Sequence, residues 1–387
     1  MNIRRLLIAI LICSAPALAA AASDRCGNLA GQRCEVELST GVRMSYFDVG
    51  PAGGEAVILL HTDTTSAVEW TWTVNALTAL DPALHLYALD QRGAGTTDLP
   101  RTEQCWSRPN LCIGRTELAA DVLAFMDAKG IARATLVGHA LGAEVALQVA
   151  LHRPARVARL VLSGIGIVAS MPAQPAPSTR KPWAGMEGLG WRELLEKRGV
   201  RWPEGALHMR PLDIDPDAVR HLTEHWDISV IADPAVVDMI AAQTAQESLA
   251  TWGTMDLTPR RAVPAPDLSR LAMPVLVLWG SEDAYFDRAS QDRLMDSLRT
   301  AGQRHPGMYF CWKQYGVRPR PASGDKHDAD DIGHNLSWEA PQGLAADIAS
   351  FVRTGAPTHD RYRTNAPDHP REILVEADQA TVITSRP

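Results

Sequence analysis

After residue 22 no stretch stays apolar for the ~20 residues that crossing a bilayer takes, so no membrane span is expected. There is no basic patch either. Lys and Arg number 38 against 45 Asp and Glu, a net charge of −7 at pH 7. With nothing clustered to neutralise phosphates, nucleic acid is not an expected partner. Charged residues are 21% of the chain and apolar residues 46%, which excludes a disordered chain and fits an ordinary globular one. Cysteine is scarce, six in 387 residues, and its spacings do not resemble a zinc site. No metal and no cofactor is expected, and no internal repeat is present. The sequence says nothing about oligomeric state.

What is there begins with a leader. Arg4 and Arg5 precede an apolar run from Leu6 to Ile12. Ala17-Leu18-Ala19 and Ala20-Ala21-Ala22 then offer small-residue cleavage sites. Residues 1–22 are therefore expected to be a bacterial signal peptide, which places the mature chain in the periplasm or outside the cell. Cys13 lies inside the leader, but Ile12 before it is too bulky for a lipoprotein cleavage site. Removing the leader takes away two arginines and no acid, so the net charge becomes −9. Five cysteines remain in an oxidising compartment. Cys26–Cys34 and Cys105–Cys112 each close a short loop and are the expected disulfides. Cys311, in an apolar strand-like run, is expected to be a buried thiol.

From residue 34 onward strand-like and helix-like segments alternate. Glu35–Leu38 and Arg43–Asp48 read as an antiparallel pair around Thr40-Gly41. Ala56–His61 is a continuous apolar run, as in a strand buried on both faces. Further strands are expected at Leu84–Asp90, Ala134–Gly138, Val157–Ser163, Pro274–Gly280 and Met308–Tyr315. Helices are expected at Ala67–Leu80, Thr116–Lys129, Leu141–His152, Ala289–Ala301 and Pro341–Arg353. This alternation predicts an α/β fold with a mostly parallel eight-stranded sheet and helices on both faces. The alternation breaks near Gly164. A Pro- and Ser-rich stretch over 170–182 is followed by helix-like sequence from Trp183 to Arg261, carrying Trp191, Trp202, Trp226 and Trp252. The expected organisation is a core over 23–165 and 266–355, an inserted helical cap over 166–265, and a polar tail over 356–387 with one strand-like run at Ile373–Val375. The cap is expected to fold over the site and close an apolar pocket for a small-molecule substrate.

Four short motifs occur in order. Val57-Ile58-Leu59-Leu60-His61 ends a strand. Asp90-Gln91-Arg92-Gly93-Ala94-Gly95 follows the next. Gly138-His139-Ala140-Leu141-Gly142 joins a strand to a helix. Trp279-Gly280-Ser281-Glu282-Asp283 and, later, Gly333-His334 close the set. In this order, from about residue 35 to 354, the chain resembles the α/β-hydrolase superfamily. The resemblance implies the α/β-hydrolase fold and a nucleophile elbow at Ala140. It also implies an oxyanion amide at Leu141 backed by a helix dipole, His334 as general base, and Asp283 as its orienting acid. Glu282 is the alternative acid and Asp287 a weaker one.

The chain departs from that pattern in two places. The elbow apex in the family carries Ser, Cys or Asp; here it is Ala140, with no nucleophilic atom. The oxyanion loop in the family has His-Gly; here it reads His61-Thr62-Asp63-Thr64. The amide of residue 63 faces the oxyanion in the family, and a carboxylate turned inward there opposes that charge. The alternative is an Asp63 that caps the following helix with its side chain turned away. The loop Gly316–Ile332 carries Asp325, His327, Asp328, Asp330 and Asp331, read as a solvated acidic lid rather than a metal site.

The resemblance implies a hydrolase of esters, lactones or amides working through an acyl-enzyme. Three accounts of Ala140 stay open: a copy of such an enzyme with its serine replaced, a pocket-keeping binder, or an enzyme using His334 and Asp283 as a base pair without a covalent intermediate. The Asp90-Gln91-Arg92-Gly93 turn, the leader and the Cys105–Cys112 loop also resemble exported proline-iminopeptidase-like aminopeptidases. Those carry Gly-Gly in the oxyanion loop, which is absent here, so the esterase-like expectation stands first. A dehalogenase or epoxide hydrolase needs Asp at the elbow.

Overall fold

A computed structural model describes residues 33–63, 65–97, 99, 105, 112–167, 195–201, 209–214, 242–247, 249, 267–281, 283, 285–316, 332–358, 363–366, 369–374 and 382–384. The leader, Cys26, Thr64, the five cap tryptophans, Glu282 and the acidic residues of the 316–332 loop lie outside these residues.

Eight strands follow one another as β1 (Cys34–Glu37), β2 (Arg43–Val49), β3 (Glu55–Leu60), β4 (Leu84–Leu89), β5 (Ala134–His139), β6 (Val157–Ser163), β7 (Val275–Gly280) and β8 (Phe310–Tyr315). In the sheet they stand in the order β1-β2-β4-β3-β5-β6-β7-β8. The six strands from β4 to β8 pair in parallel. β1 and β2 pair antiparallel with each other, and β2 pairs antiparallel with β4. The tail supplies more structure than its polar composition suggests. Strands β9 (Arg363–Ala366) and β10 (His369–Leu374) form a separate antiparallel pair that takes in Ile373. Strand β11 (Val382–Thr384) adds a ninth strand on β8.

Burial on both faces explains the continuous apolar runs. Along β3, Val57 and Leu59 face one layer and Ile58 and Leu60 the other, all four at 0% exposure. The first layer holds Val74 and Leu77 of helix α1 (Thr71–Leu80) and, from the last helix of the chain (Pro341–Thr354), Leu344, Ile348 and Phe351. The second layer holds helix α2 (Arg115–Ala128), helix α3 (Leu141–His152) and helix α4 (Arg288–Arg304), through Val122, Phe125, Ala146, Val149, Leu294 and Leu298. The last helix is α5. Each Val, Leu or Ile side chain fully removed from water contributes about 1.5–3 kcal/mol, so these layers outweigh any local propensity. The helix expected from Ala67 begins as a 3-10 turn, Ala67–Trp70, and becomes α-helical at Thr71.

The parallel arrangement sets where chemistry can sit. The loops after β3, β5, β7 and β8 all leave the carboxyl ends of neighbouring strands, and β3 lies where the strand order reverses. Open α/β sheets bind their ligands at that edge.

Candidate active site

Strand β5 ends at His139, and α3 starts at Leu141, leaving one residue to make the turn. That residue, Ala140, has φ 47° and ψ −112°, and among the described residues it is the one non-glycine with positive φ. Such backbone costs on the order of 1–3 kcal/mol and persists only when its surroundings impose it. Here they do. The Ala140 N–H donates to Ser163 O at 2.9 Å on β6, and Ala140 O accepts the Glu144 N–H at 3.1 Å. A β-carbon on Gly142 would run into the Leu60 and His61 carbonyls, and one on Gly138 into the Gly142 backbone. The strand-to-helix turn is therefore packed tightly against the loop after β3, the expected oxyanion loop. Leu141 opens α3, so its amide sits at the positive end of the helix.

His334 Nδ1 and Asp283 Oδ2 are 2.9 Å apart, both residues buried. Asp283 is fixed in turn: its Oδ1 accepts the amides of Tyr285 at 2.8 Å and Phe286 at 3.0 Å. The Tyr285 ring meets His334 edge-on at 4.8 Å. Asp287 has a different duty, as N-cap of α4, where its Oδ1 accepts the Ser290 N–H at 2.8 Å.

In the oxyanion loop, the buried His61 donates from Nδ1 to Thr62 O at 2.5 Å, and its Nε2 accepts the Gln91 N–H at 3.0 Å. Burial pushes the His61 imidazole down to about 4, against the raising pull of Glu69, the Thr62 carbonyl and Asp63. It is thus a neutral ring in a fixed tautomer, a strut between the loop and the turn after β4. Asp63 is 9% exposed, and its Oδ1 accepts the Thr62 hydroxyl at 2.8 Å. The start of the following helix is held from elsewhere: Asp90 Oδ1 accepts the Ala67 N–H at 2.8 Å. Asp90 also pairs with Arg33. Arg92 forms a two-pronged bond with Asp121, at 2.6 and 2.5 Å, and donates to Cys112 O at 2.9 Å. Cys105 and Cys112 are joined as a disulfide; Cys311 is a buried thiol directed at Gly355 O.

Three buried groups here escape a reading by motif: Glu69, His139 and Glu247. Glu69 Oε1 is 2.7 Å from His139 Nδ1 and accepts the Ser337 hydroxyl at 3.1 Å. Its Oε2 accepts the Thr62 N–H at 2.9 Å and the Thr65 hydroxyl at 2.7 Å. Burial pushes the Glu69 carboxyl up, but the His139 charge and these bonds outweigh it and hold the group below its usual value. Glu247, from the region expected as cap, accepts the Gly95 N–H at 2.6 Å. For Glu69 the available signal was a charged residue set between apolar ones, in Val68-Glu69-Trp70. Among the described residues no group of His, Cys, Asp and Glu could hold a metal ion.

A strained apex, an amide at a helix start and a buried His–Asp pair lie at the carboxyl edge of the parallel sheet, where the resemblance to hydrolases expects them. Comparison with known proteins points the same way. A family described as alpha/beta hydrolase fold matches residues 55–197. A Variovorax paradoxus protein assigned as the carbamate hydrolase RutD is 41% identical over 250 residues, covering 65% of this chain and 82% of that protein. A 2-hydroxy-6-oxononadienedioate/2-hydroxy-6-oxononatrienedioate hydrolase of Burkholderia vietnamiensis is 27% identical over 325 residues, covering 82% of this chain and 93% of that one. A crystal structure from Burkholderia cenocepacia, assigned as an aryl esterase, has a TM-score of 0.55 at 19% identity, covers 83% of this chain and 98% of its own, and shares the fold. The chain belongs to the α/β-hydrolase superfamily.

Proposed function

We propose that this chain is an exported α/β-hydrolase whose pocket takes a small ester, lactone or amide, and that Ala140 holds it at the binding step. The carrying observation is the elbow itself: Ala140 keeps φ 47° although it has no hydroxyl to present. The site around it is otherwise furnished. In this reading His334 takes a proton from a hydroxyl at position 140, and Asp283, at 2.9 Å from its Nδ1, stabilises the imidazolium that forms. The Leu141 amide, with the loop amide at Asp63, faces the developing oxyanion. The relatives' assigned substrates, a carbamate and oxo-acids, each carry a carbonyl, which supports a carbonyl compound as the ligand. Export rests on the leader at residues 1–22.

Losing a triad serine costs about 10⁶ in kcat in a well-characterised protease. The parent chain is therefore expected to bind p-nitrophenyl esters without turning them over, and Ala140→Ser to hydrolyse them in a His334-dependent way. A second reading draws on Asp63, a buried carboxylate in the loop that should face an oxyanion. In that reading His334 and Asp283 activate water directly. Turnover by the parent that His334→Ala abolishes, with no gain from Ala140→Ser, would favour it.

A further inference from the structure

His139 has acceptors on both sides. Its Nδ1 faces the Glu69 carboxylate at 2.7 Å, and its Nε2 faces the backbone carbonyl of His334 at 3.0 Å. A carbonyl oxygen cannot donate, and an ionised carboxylate cannot either. Three other donors, the Thr62 amide and the Thr65 and Ser337 hydroxyls, also point at Glu69 and favour its ionised form; with Glu69 ionised, both ring nitrogens carry protons and the ring is an imidazolium. The pair is fully enclosed, His139 at 0% and Glu69 at 1% exposure. The other titratable rings near it are His334, 5.1 Å away between centroids, and His61, which feels the Glu69 charge and is neutral.

The same carboxylate reaches three loops. Through Oε2 it holds the Thr62 amide and the Thr65 hydroxyl of the oxyanion loop. Through His139 it holds the residue before the elbow apex. Through Ser337, and through the His139 bond to His334 O, it holds the loop that carries the base. A β-carbon on Gly164 would strike both His139 and His334, so the two rings are also packed against a common wall. We infer that Glu69 and His139 form a buried ion pair that positions the candidate base, His334, relative to the elbow and the oxyanion loop. Their role in turnover rests on the hydrolase reading above; the charge on His139 does not.

A buried pair of this kind is costly to break from one side, because the remaining charge loses its partner. Glu69→Gln keeps the shape and the acceptor for Thr62 while removing the charge. The new amide can donate to His139 Nδ1, which then gives up its proton and leaves a neutral Nε2–H ring.

Nitrogen-15 NMR of histidine-labelled protein reads this directly, with His139→Gln assigning the signal. In the parent chain His139 should show two N–H protons that persist across neutral pH. In Glu69→Gln the Nδ1 proton should vanish and the His334 ring signals should move. In an Ala140→Ser background, Glu69→Gln should lower kcat by about tenfold to a hundredfold with KM held, as expected when a reacting group is displaced by a fraction of an ångström. A single N–H on His139 in the parent, or His334 signals indifferent to Glu69→Gln, would overturn the inference. An Ala140→Ser protein that hydrolyses nothing while the histidine signals behave as stated would sink the hydrolase reading and leave the ion pair standing.

Discussion

The Glu247 carboxylate accepts the Gly95 amide at 2.6 Å, so a side chain 152 positions further along the chain closes the turn that follows β4. The contact joins residue 247 to the turn beside Asp90 and Ser66.

Burial pushes the Glu247 carboxyl up to about 6, although the Gly95 amide, the Ser66 hydroxyl and the charge of Arg33 each pull it down. An acid raised in the folded state binds more protons folded than unfolded between its two pKa values. Its contribution therefore falls as pH rises from about 4.5 to about 6, and the full cost is present above that window. Glu247→Gln should gain stability over the parent at neutral pH, relative to its standing at pH 4.5, by on the order of 2 kcal/mol. Urea unfolding of both proteins at the two pH values reads the difference; an offset that does not change with pH contradicts the assignment.

His61 works with the opposite sign. Its neutral ring is depressed to about 4 by burial, while the unfolded chain takes the proton near 6.5. Stability from this group is complete above pH 6.5 and is lost as pH falls toward 4, a swing on the order of 3 kcal/mol. A proton NMR titration of His61 should show a midpoint near 4, with the neutral ring above it held as the Nδ1–H tautomer. A midpoint near 6.5 would mean that the strut between Thr62 and Gln91 is not formed as described.

Much of the fold was legible because parallel strands buried on both faces leave unbroken apolar runs. Val57–Leu60, Ala134–Val137 and Val275–Leu278 lie within such strands. The Asp283–His334 pair was legible because short motifs carry it. Glu69 was not, because its meaning comes from Ser337, 268 positions away, and from a histidine on a strand it does not adjoin in sequence. Glu247 was hidden for the same reason. Asp287 read as a weaker candidate acid because the sequence cannot separate an N-cap from a partner of a histidine; in the structure its Oδ1 accepts the Ser290 amide. The three-residue strand β11 is too short and its neighbours too polar to be seen before its pairing with Cys311–Lys313.

The Cys105–Cys112 disulfide lies next to the buried Arg92–Asp121 pair, since Arg92 also donates to the Cys112 carbonyl. Closing a loop this short contributes roughly 2–3 kcal/mol through the unfolded chain. The double variant Cys105→Ser with Cys112→Ser should lose about that much, and reductant should destabilise the parent but not the variant. Equal stability of parent and variant in oxidising buffer would refute it.

The central claim is that position 140 is a nucleophile position that lacks only a nucleophilic side chain to react. Intact-protein mass after exposure to a serine-directed fluorophosphonate tests this most directly, on the parent, Ala140→Ser, and Ala140→Ser with His334→Ala. The account predicts a single adduct mapped to residue 140 in Ala140→Ser. It predicts none in the parent and a strongly slowed reaction without His334. An Ala140→Ser protein that folds like the parent yet stays unlabelled, or labelling that is indifferent to His334, would contradict it.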